Sequence, residues 1–462
     1  MSTSRNRTSI VLVDGCRIPF QKPGTGYRSY RAHDLARFAI RGLLDRNGLD
    51  PGKIDRVVMG NVIQDPETAN LAREAALGAG LPASVPAQTV SMSCLSGHLS
   101  VTTAAETILS GQADVVIAGG ADSASAWLER FPLKKHRALP FLKEFSTGET
   151  MGEYADRLAA QYGVTREAQD AYTVRSHQSA VRAFREELHE SDIVPVSGPP
   201  DFVPIIKDNL VRPDTTLESL SLFSPVFNRK YGTVTAANGS IYADGAAVVL
   251  LMSEEKADEL GLKPIARLLS WVYTAGNPKE EMLMGQVSAI SSLLERTGAM
   301  AAAAGTGTGT GTGSGGKNSG GTGSGGNRIT PDDIDVFELQ ETFAAQIIAV
   351  LEAAASGELA GGRGKAASIP LKKLNTLGGT LALGHVFGAT GIRLMITAAN
   401  RLAREKGRFA LAAGCAGGGL GHAMLLEPAD APRTASRPAK KTAKSKKDTA
   451  APKNSKPKPQ AK

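Results

Sequence analysis

The sequence predicts an α/β protein made of two similar halves with a loop domain inserted between them. Near-continuous apolar strands such as SIVLVDG, ADVVIAGGADS and RFALAAGCAGGGLGHAMLLE alternate with helical stretches, the pattern of parallel-rich sheets covered by helices. The order strand, helix, glycine-bounded small-residue helix, strand, glycine loop occurs twice. It runs once from IDRVVMGNVIQ to ADVVIAGGADS and again from IDVFELQETFAAQ to the last strand, which would set equivalent loops face to face. Between the two copies, from about 123 to 237, the texture turns charged and irregular, as expected of a loop domain over a site.

The elements follow in order. SIVLVDG begins at Ser9, a first strand that leaves no room for a targeting segment ahead of it. The stretch SMSCLSGHLSVTTAAETIL, 91–109, opens a helix of Ala, Thr and Ser suited to close packing between layers. TREAQDAYTVRSHQSAVRAFREEL predicts an amphipathic helix opened by Thr165, with Glu167 and Asp170 in its first turns. VSAISSLLERTGAM reads as a helix and IDVFELQ as a strand; the Gly/Ser/Thr tract between them has no side chains to bury and predicts a flexible surface insertion. Loop-closure entropy grows only logarithmically with length, so such an insertion is tolerated. The expected division is 9–275 for the first half, 276–428 for the second with the insertion at 301–327, and 429–462 for a disordered tail.

The chain has 462 residues and a net charge of +8, but that charge is local. The 34 residues after Pro428 hold 11 Lys and Arg against 2 Asp, a net of +9 that leaves the body at −1. The tail reads as a solvating extension, with contact to a polyanion or membrane surface as the alternative. Aromatic residues are only 5% of the chain, which argues against a nucleic-acid stacking platform. No window offers the roughly 20 apolar residues a membrane span needs. Three widely spaced cysteines argue against a disulfide framework and for a reducing, cytoplasmic setting.

Three residues carry the chemistry. Cys94 lies where a helix would begin, and backbone N–H groups with the helix dipole are expected to lower its pKa and hold the thiolate. His385, in LGGTLALGHVFGATGIR, is displayed between glycines and is the only titratable residue before Arg393. Cys415 precedes three consecutive glycines, a loop type whose N–H groups bind a developing oxyanion. A nucleophile, a base and a separate acid are what acyl transfer through carbon–carbon cleavage requires. No Cys/His pair has zinc-like spacing, so no metal site is expected.

The motifs GNVIQ, SMSCLSGH, GQADVVIAGGADS, EFSTGETMGEYADRLAAQYG, KDNLVRP, YGTVTAANGSIYADGAA, GGTLALGHVFGATG and GCAGGGLGHAM, in this order from about Ser9 to Glu427, resemble the thiolase family. The similarity is to the 3-ketoacyl-CoA thiolase type found as the β subunit of the fatty-acid β-oxidation trifunctional complex. The resemblance implies a thiolase fold, two βαβαβ halves in α/β/α/β/α layers. It implies acetyl-CoA C-acyltransferase activity, with CoA and acyl-CoA as substrates and no cofactor.

Cys94 would then carry the acyl group, His385 would activate it, and Cys415 would serve as acid and base. The N–H groups of Cys94 and Gly417 would form an oxyanion hole, Ser270 would contact the pantetheine arm, and Phe343 could line the acyl pocket, where an ordinary core role is the alternative. It also implies a homodimer or homotetramer and a hydratase/dehydrogenase α subunit, toward which RALPFLKEF, 137–145, could face. Two positions depart from the family. Gln340 stands where His or Asn is usual, its amide one methylene longer than that of Asn, and Val386 replaces a proline beside His385. Condensation of two acyl-CoA molecules and a non-catalytic scaffold with a polyanion-binding tail are the alternative readings. Cys415 argues against a decarboxylating ketoacyl synthase.

Overall fold

The computed structural model describes residues 8–130, 143–199, 202–305, 329–356 and 368–431. Most of RALPFLKEF, nearly all of the Gly/Ser/Thr insertion and the Lys-rich tail beyond 431 lie outside the described residues. In chain order the first half comprises β1 (Ile10–Arg17), α1 (Ala32–Asn47), β2 (Arg56–Gly60), α2 (Leu71–Gly78), β3 (Ala87–Val90), α3 (Ser96–Leu109) and β4 (Val115–Asp122). The excursion follows, with α4 (Ala124–Arg130), α5 (Met151–Gln161), α6 (Arg166–Arg185) and α7 (Leu217–Ser221), before the chain returns in β5 (Gly245–Ser253) and α8 (Glu254–Glu259). The remainder is β6 (Ala266–Ala275), α9 (Pro278–Glu281), α10 (Gly285–Gly305), β7 (Val336–Leu339), α11 (Ala344–Ser356), α12 (Thr380–Leu383), α13 (Thr390–Glu405), β8 (Ala410–Ala416) and β9 (Leu420–Pro428).

The strands form one sheet in the order β3-β2-β4-β5-β1-β6-β9-β8-β7. Read outward from the central β1–β6 pair, the two halves match: β5 with β9, β4 with β8, β2 with β7. Leu374 forms a parallel bridge to Phe337 where β3 stands in the other half. Within the sheet the halves pair through Ile10–Leu12 against Ala266–Leu268. The sheet is not parallel-rich. Pairings β2–β3, β2–β4 and β7–β8 are parallel, while the other five are antiparallel. An apolar strand reports burial on both faces, which an antiparallel strand between helical layers also has.

Alternation along the strands builds the layers. In β5, Val248 and Leu250 join the core under α1 and α2, whereas Val249 and Leu251 face the middle layer. In β9, Ala423 and Leu425 face α10 and α11 while Met424 and Leu426 face inward. The middle layer is α3 and α13, giving α/β/α/β/α. Burying α13 on nearly all sides encloses Arg393 and Arg401, and Glu338 of β7 accepts from Arg401 at 2.8 Å and from Arg393 at 3.5 Å. In the excursion, α6 is capped at Thr165, whose hydroxyl accepts the Ala168 N–H.

Candidate active site

The strand ends bring backbone against backbone. A Cβ at Gly120 would overlap the Gly388 carbonyl, and one at Gly97 would lie 2.5 Å from the same oxygen, so the His385 loop seats directly on β4 and α3. Cys94 sits two residues before α3 on a turn that Ser93 takes with φ of 47°, a left-handed conformation unusual for a non-glycine residue. Ser96 locks that turn, its hydroxyl accepting the Met92 N–H at 2.8 Å and donating to the Ser93 carbonyl at 2.6 Å.

The half-buried Cys94 packs beside Ile63, Ala124 and Phe387. Its thiol is raised, not lowered: burial is the largest cause, and Cys415 and Asp122 add to it. The expected lowering fails because the sulfur lies ahead of the first helical turn among apolar side chains, where desolvation outweighs the dipole. At rest the nucleophile is a thiol.

His385 follows Gly384, whose φ is 89°. The His385 N–H donates to Ile241 at 2.8 Å and its carbonyl accepts from Ala243 at 3.2 Å, so backbone pairing fixes it despite the valine that follows. Val386 itself is buried and packs toward Gly245. The imidazole pKa is pushed down to about 3 by burial, then by Arg393 and His98, leaving a neutral ring able to take a proton. Nδ1 lies 2.7 Å from Thr390 Oγ1. Nε2 lies 3.4 Å from the Gln340 amide nitrogen, which also donates to Thr342 Oγ1 at 3.0 Å.

Cys415 lies one residue from the end of β8 with its thiol raised to about 11 by burial, against its contacts with the Gln286 amide, which donates to it at 3.8 Å, and with the Thr342 hydroxyl at 3.9 Å. Cys415 is close enough to contribute to the raised pKa of Cys94. The glycine turn after it bends at Gly418 and Gly419, with φ of 83° and 71°. Glu144, from the excursion, accepts the Gly418 N–H; burial pushes its carboxyl up, but that bond and those from Ser146 win and hold it lower than usual.

Two carboxylates the sequence reading passed over position these parts. Asp122, at the end of β4, accepts from Asn61, Val62 and Ile63 at 2.8–2.9 Å and from the Gly388 N–H at 2.6 Å, tying the His385 loop to β2. Burial raises it to about 6. Glu341 accepts from Tyr172 and Ser176 of α6, from Asn375 and from the Leu381 N–H, joining the excursion to the His385 turn. Its one signal in the sequence is a charge inside the apolar run VFELQETF. Glu341→Ala would strand these donors in the interior and is expected to cost about 3 kcal/mol in denaturant unfolding. A loss under about 1 kcal/mol would show that the donors find other partners.

Ser270 is not brought to the site. It lies mid-strand in β6, buried, opposite Leu425, four residues short of Thr274, which stands opposite Gly421 at the level of Cys415. LLSWVYTAG is a strand, and its active end is the Thr274 end. Phe343 is half-buried, its ring lies where a Cβ at Gly239 would come within 3.0–3.1 Å of it, and it meets Phe227 edge-on with ring centroids 6.4 Å apart. Gly417 is half-buried at the glycine turn, beside Met151 and Glu144. A cavity of about 510 Å³ shares Ile63 and Trp127 with the apolar cluster around Cys94, and Arg31 and Arg130 pair with Asp65 and Glu67 at its rim.

Such a site, with a thiol nucleophile, a neutral imidazole and a second thiol between paired α/β halves, defines a cysteine-dependent acyltransferase. Residues 10–255 match the thiolase N-terminal domain and residues 326–428 the thiolase C-terminal domain. The chain belongs to the thiolase family. It is 41% identical over 454 residues to the mitochondrial trifunctional enzyme subunit beta of Mus musculus, covering 91% of this chain and 89% of that protein. It is 36% identical over 456 residues to the 3-ketoacyl-CoA thiolase of Serratia proteamaculans, covering 92% and 98%. Among solved structures, Bacillus anthracis acetyl-CoA acetyltransferase superposes with a TM-score of 0.77 at 31% identity, over 92% of this chain and 100% of that one. Human mitochondrial 3-ketoacyl-CoA thiolase in complex with CoA gives 0.76 at 28% identity, over 91% and 98%.

Proposed function

We propose that the chain is a 3-ketoacyl-CoA thiolase of fatty-acid β-oxidation, an acetyl-CoA C-acyltransferase. The observation that carries this reading is the His385 loop seated by backbone contact on β4 and α3 beside the Cys94 turn, with Thr342 bridging Gln340, which contacts His385, to Cys415 near the end of β8. Cys94 Sγ attacks the 3-keto carbon as His385 Nε2 takes its proton. The C2–C3 bond breaks, and Cys415 Sγ–H protonates the departing C2 carbanion to give acetyl-CoA. The Cys415 thiolate then takes the proton of CoA thiol, whose sulfur displaces the acyl group from Cys94, and His385 returns its proton to Cys94. The N–H groups of Cys94 and Gly417 stabilise the tetrahedral oxyanion, and Gln340 with His385 holds the thioester oxygen.

A homodimer or homotetramer is the assembly we infer, and the likeness to trifunctional enzyme subunit beta supports an α-subunit partner, inferred to be a hydratase/dehydrogenase. The three free cysteines support a reducing, cytoplasmic setting. The test is CoA-dependent cleavage of short-, medium- and long-chain 3-ketoacyl-CoA, followed as loss of enolate absorbance. Cleavage is expected with longer chains preferred; no cleavage of any chain length by folded protein would overturn the reading.

A further inference from the structure

Behind Gln340 lies a polar cluster that the reaction does not use. His98 of α3, one turn beyond the Cys94 loop, is buried and packs at a tilt of 54° against His422 of β9, with ring centroids 4.6 Å apart. His422 packs at a similar tilt against Tyr273, also at 4.6 Å. Among the described residues, all four ring nitrogens of these histidines lack a hydrogen-bond partner, and so does Gln340 Oε1. Each neutral ring carries one N–H, and an N–H buried without a partner is costly.

Gly414 shows where these groups meet. A Cβ there would lie 2.8 Å from Gln340 Oε1 and 2.8 Å from His98 Cε1. The amide oxygen and the imidazole edge therefore border the same gap left by the absent side chain, within reach of one intervening water. Cε1 is flanked by both ring nitrogens, one of which bears the proton, and Cε1–H is itself a weak donor. This edge favours an oxygen over an NH2 group.

We propose that His98 is a positioning residue that fixes the orientation of the Gln340 amide and, through it, the tautomer of His385. With Oε1 turned to His98, the amide NH2 faces Thr342 Oγ1 at 3.0 Å and His385 Nε2 at 3.4 Å. Nε2 must then accept, and the proton of the neutral ring sits on Nδ1 against Thr390 Oγ1 at 2.7 Å. That leaves Nε2 unprotonated, its lone pair engaged only by the 3.4 Å amide contact, so that it takes the Cys94 proton as that contact gives way. With the amide turned over, Oε1 would accept from Nε2–H and the base would be blocked by its own proton. The longer glutamine has a role here, since it reaches the Gly414 gap. The inference rests on the roles proposed above for His385 and Gln340.

The test is the ¹⁵N spectrum of histidine-labelled, full-length, substrate-free protein, with the His385 signals assigned by their loss in His385→Asn. Wild type is expected to show the Nδ1–H tautomer, and His98→Phe, which keeps a flat ring without nitrogen, to gain Nε2–H. Alongside, His98→Phe should lower kcat about tenfold with KM changed less than about twofold, and His98→Asn, which retains a donor, should recover most of the loss. Should His98→Phe not fold, Gln340→Met replaces it: combined with His98→Asn it should be no slower than alone, because no amide remains to orient. An unchanged tautomer in His98→Phe, or effects of residues 98 and 340 that multiply, would overturn the proposal. The tautomer is read without substrate, so it stands or falls separately from cleavage of 3-ketoacyl-CoA.

Discussion

Cys94→Ala is expected to abolish CoA-dependent cleavage, a loss of at least about 10⁴-fold, with the unfolding midpoint close to wild type. The activity is lost because no other described thiol stands on the Ser93 turn. Cys415 is raised to about 11 and enclosed near the end of β8. Cys16 is pushed up to about 12 by burial and lies on β1 with its sulfur on the Ala39 carbonyl. Stability is retained because Cys94 is half-buried and donates no side-chain hydrogen bond that alanine would orphan.

The charge states sharpen the expectation. The Cys94 thiol is raised and His385 is lowered to about 3, so proton transfer between them is uphill in the empty site. Deprotonation must then accompany attack on the keto carbon. Cys94→Ser, with a still weaker acid, is expected to be nearly as slow, and iodoacetamide should label Cys94 slowly at neutral pH and faster as pH rises. Full turnover by Cys94→Ala would sink the assignment of the nucleophile.

The three residues proposed to react stand out in the sequence because each sits where structure alone gives no reason for it: a thiol opening a small-residue helix, an imidazole between glycines, a thiol before three glycines. The paired halves were legible in the repeated order of elements, which the sheet carries out from β1 and β6. Strand direction was not, since Val248 and Val249 face different cores whichever way β5 runs. Asp122 and Glu341 were missed because a carboxylate that accepts backbone N–H groups looks, in sequence, like any polar residue at a strand end. Ser270 was misplaced because family position was weighed without register: four residues along a strand is about 13 Å. The Cys94 pKa was misjudged because a helix start is visible in sequence, whereas the apolar walls of Ile63, Ala124 and Phe387 come from three distant segments.

Lowering the pH from 7 to 5 is expected to remove most of the stability of the fold. Burial pushes His98 and His385 down to about 3 and His177 to about 4, and it holds His422 well below its ordinary value. In the unfolded chain each takes a proton near pH 6.5, whereas in the folded chain each stays neutral. Stability is therefore intact above about pH 6.5 and falls below it by about 1.4 kcal/mol per pH unit per ring, roughly 8 kcal/mol for four rings at pH 5. Asp122 and Asp244 oppose this. Burial raises both to about 6, so the folded chain binds their protons first and gains stability as pH falls below that value. At pH 5 their gain is only about 3 kcal/mol together, and the histidines win by about 5 kcal/mol, comparable to the whole stability of many domains. Urea unfolding at pH 7, 6 and 5 should show this loss concentrated below pH 6.5, and His98→Phe should lessen the slope by about one proton. A stability curve flat between pH 7 and 5 would mean that these rings are reached by water in the folded chain, and the burial argument for a neutral His385 would fail with it.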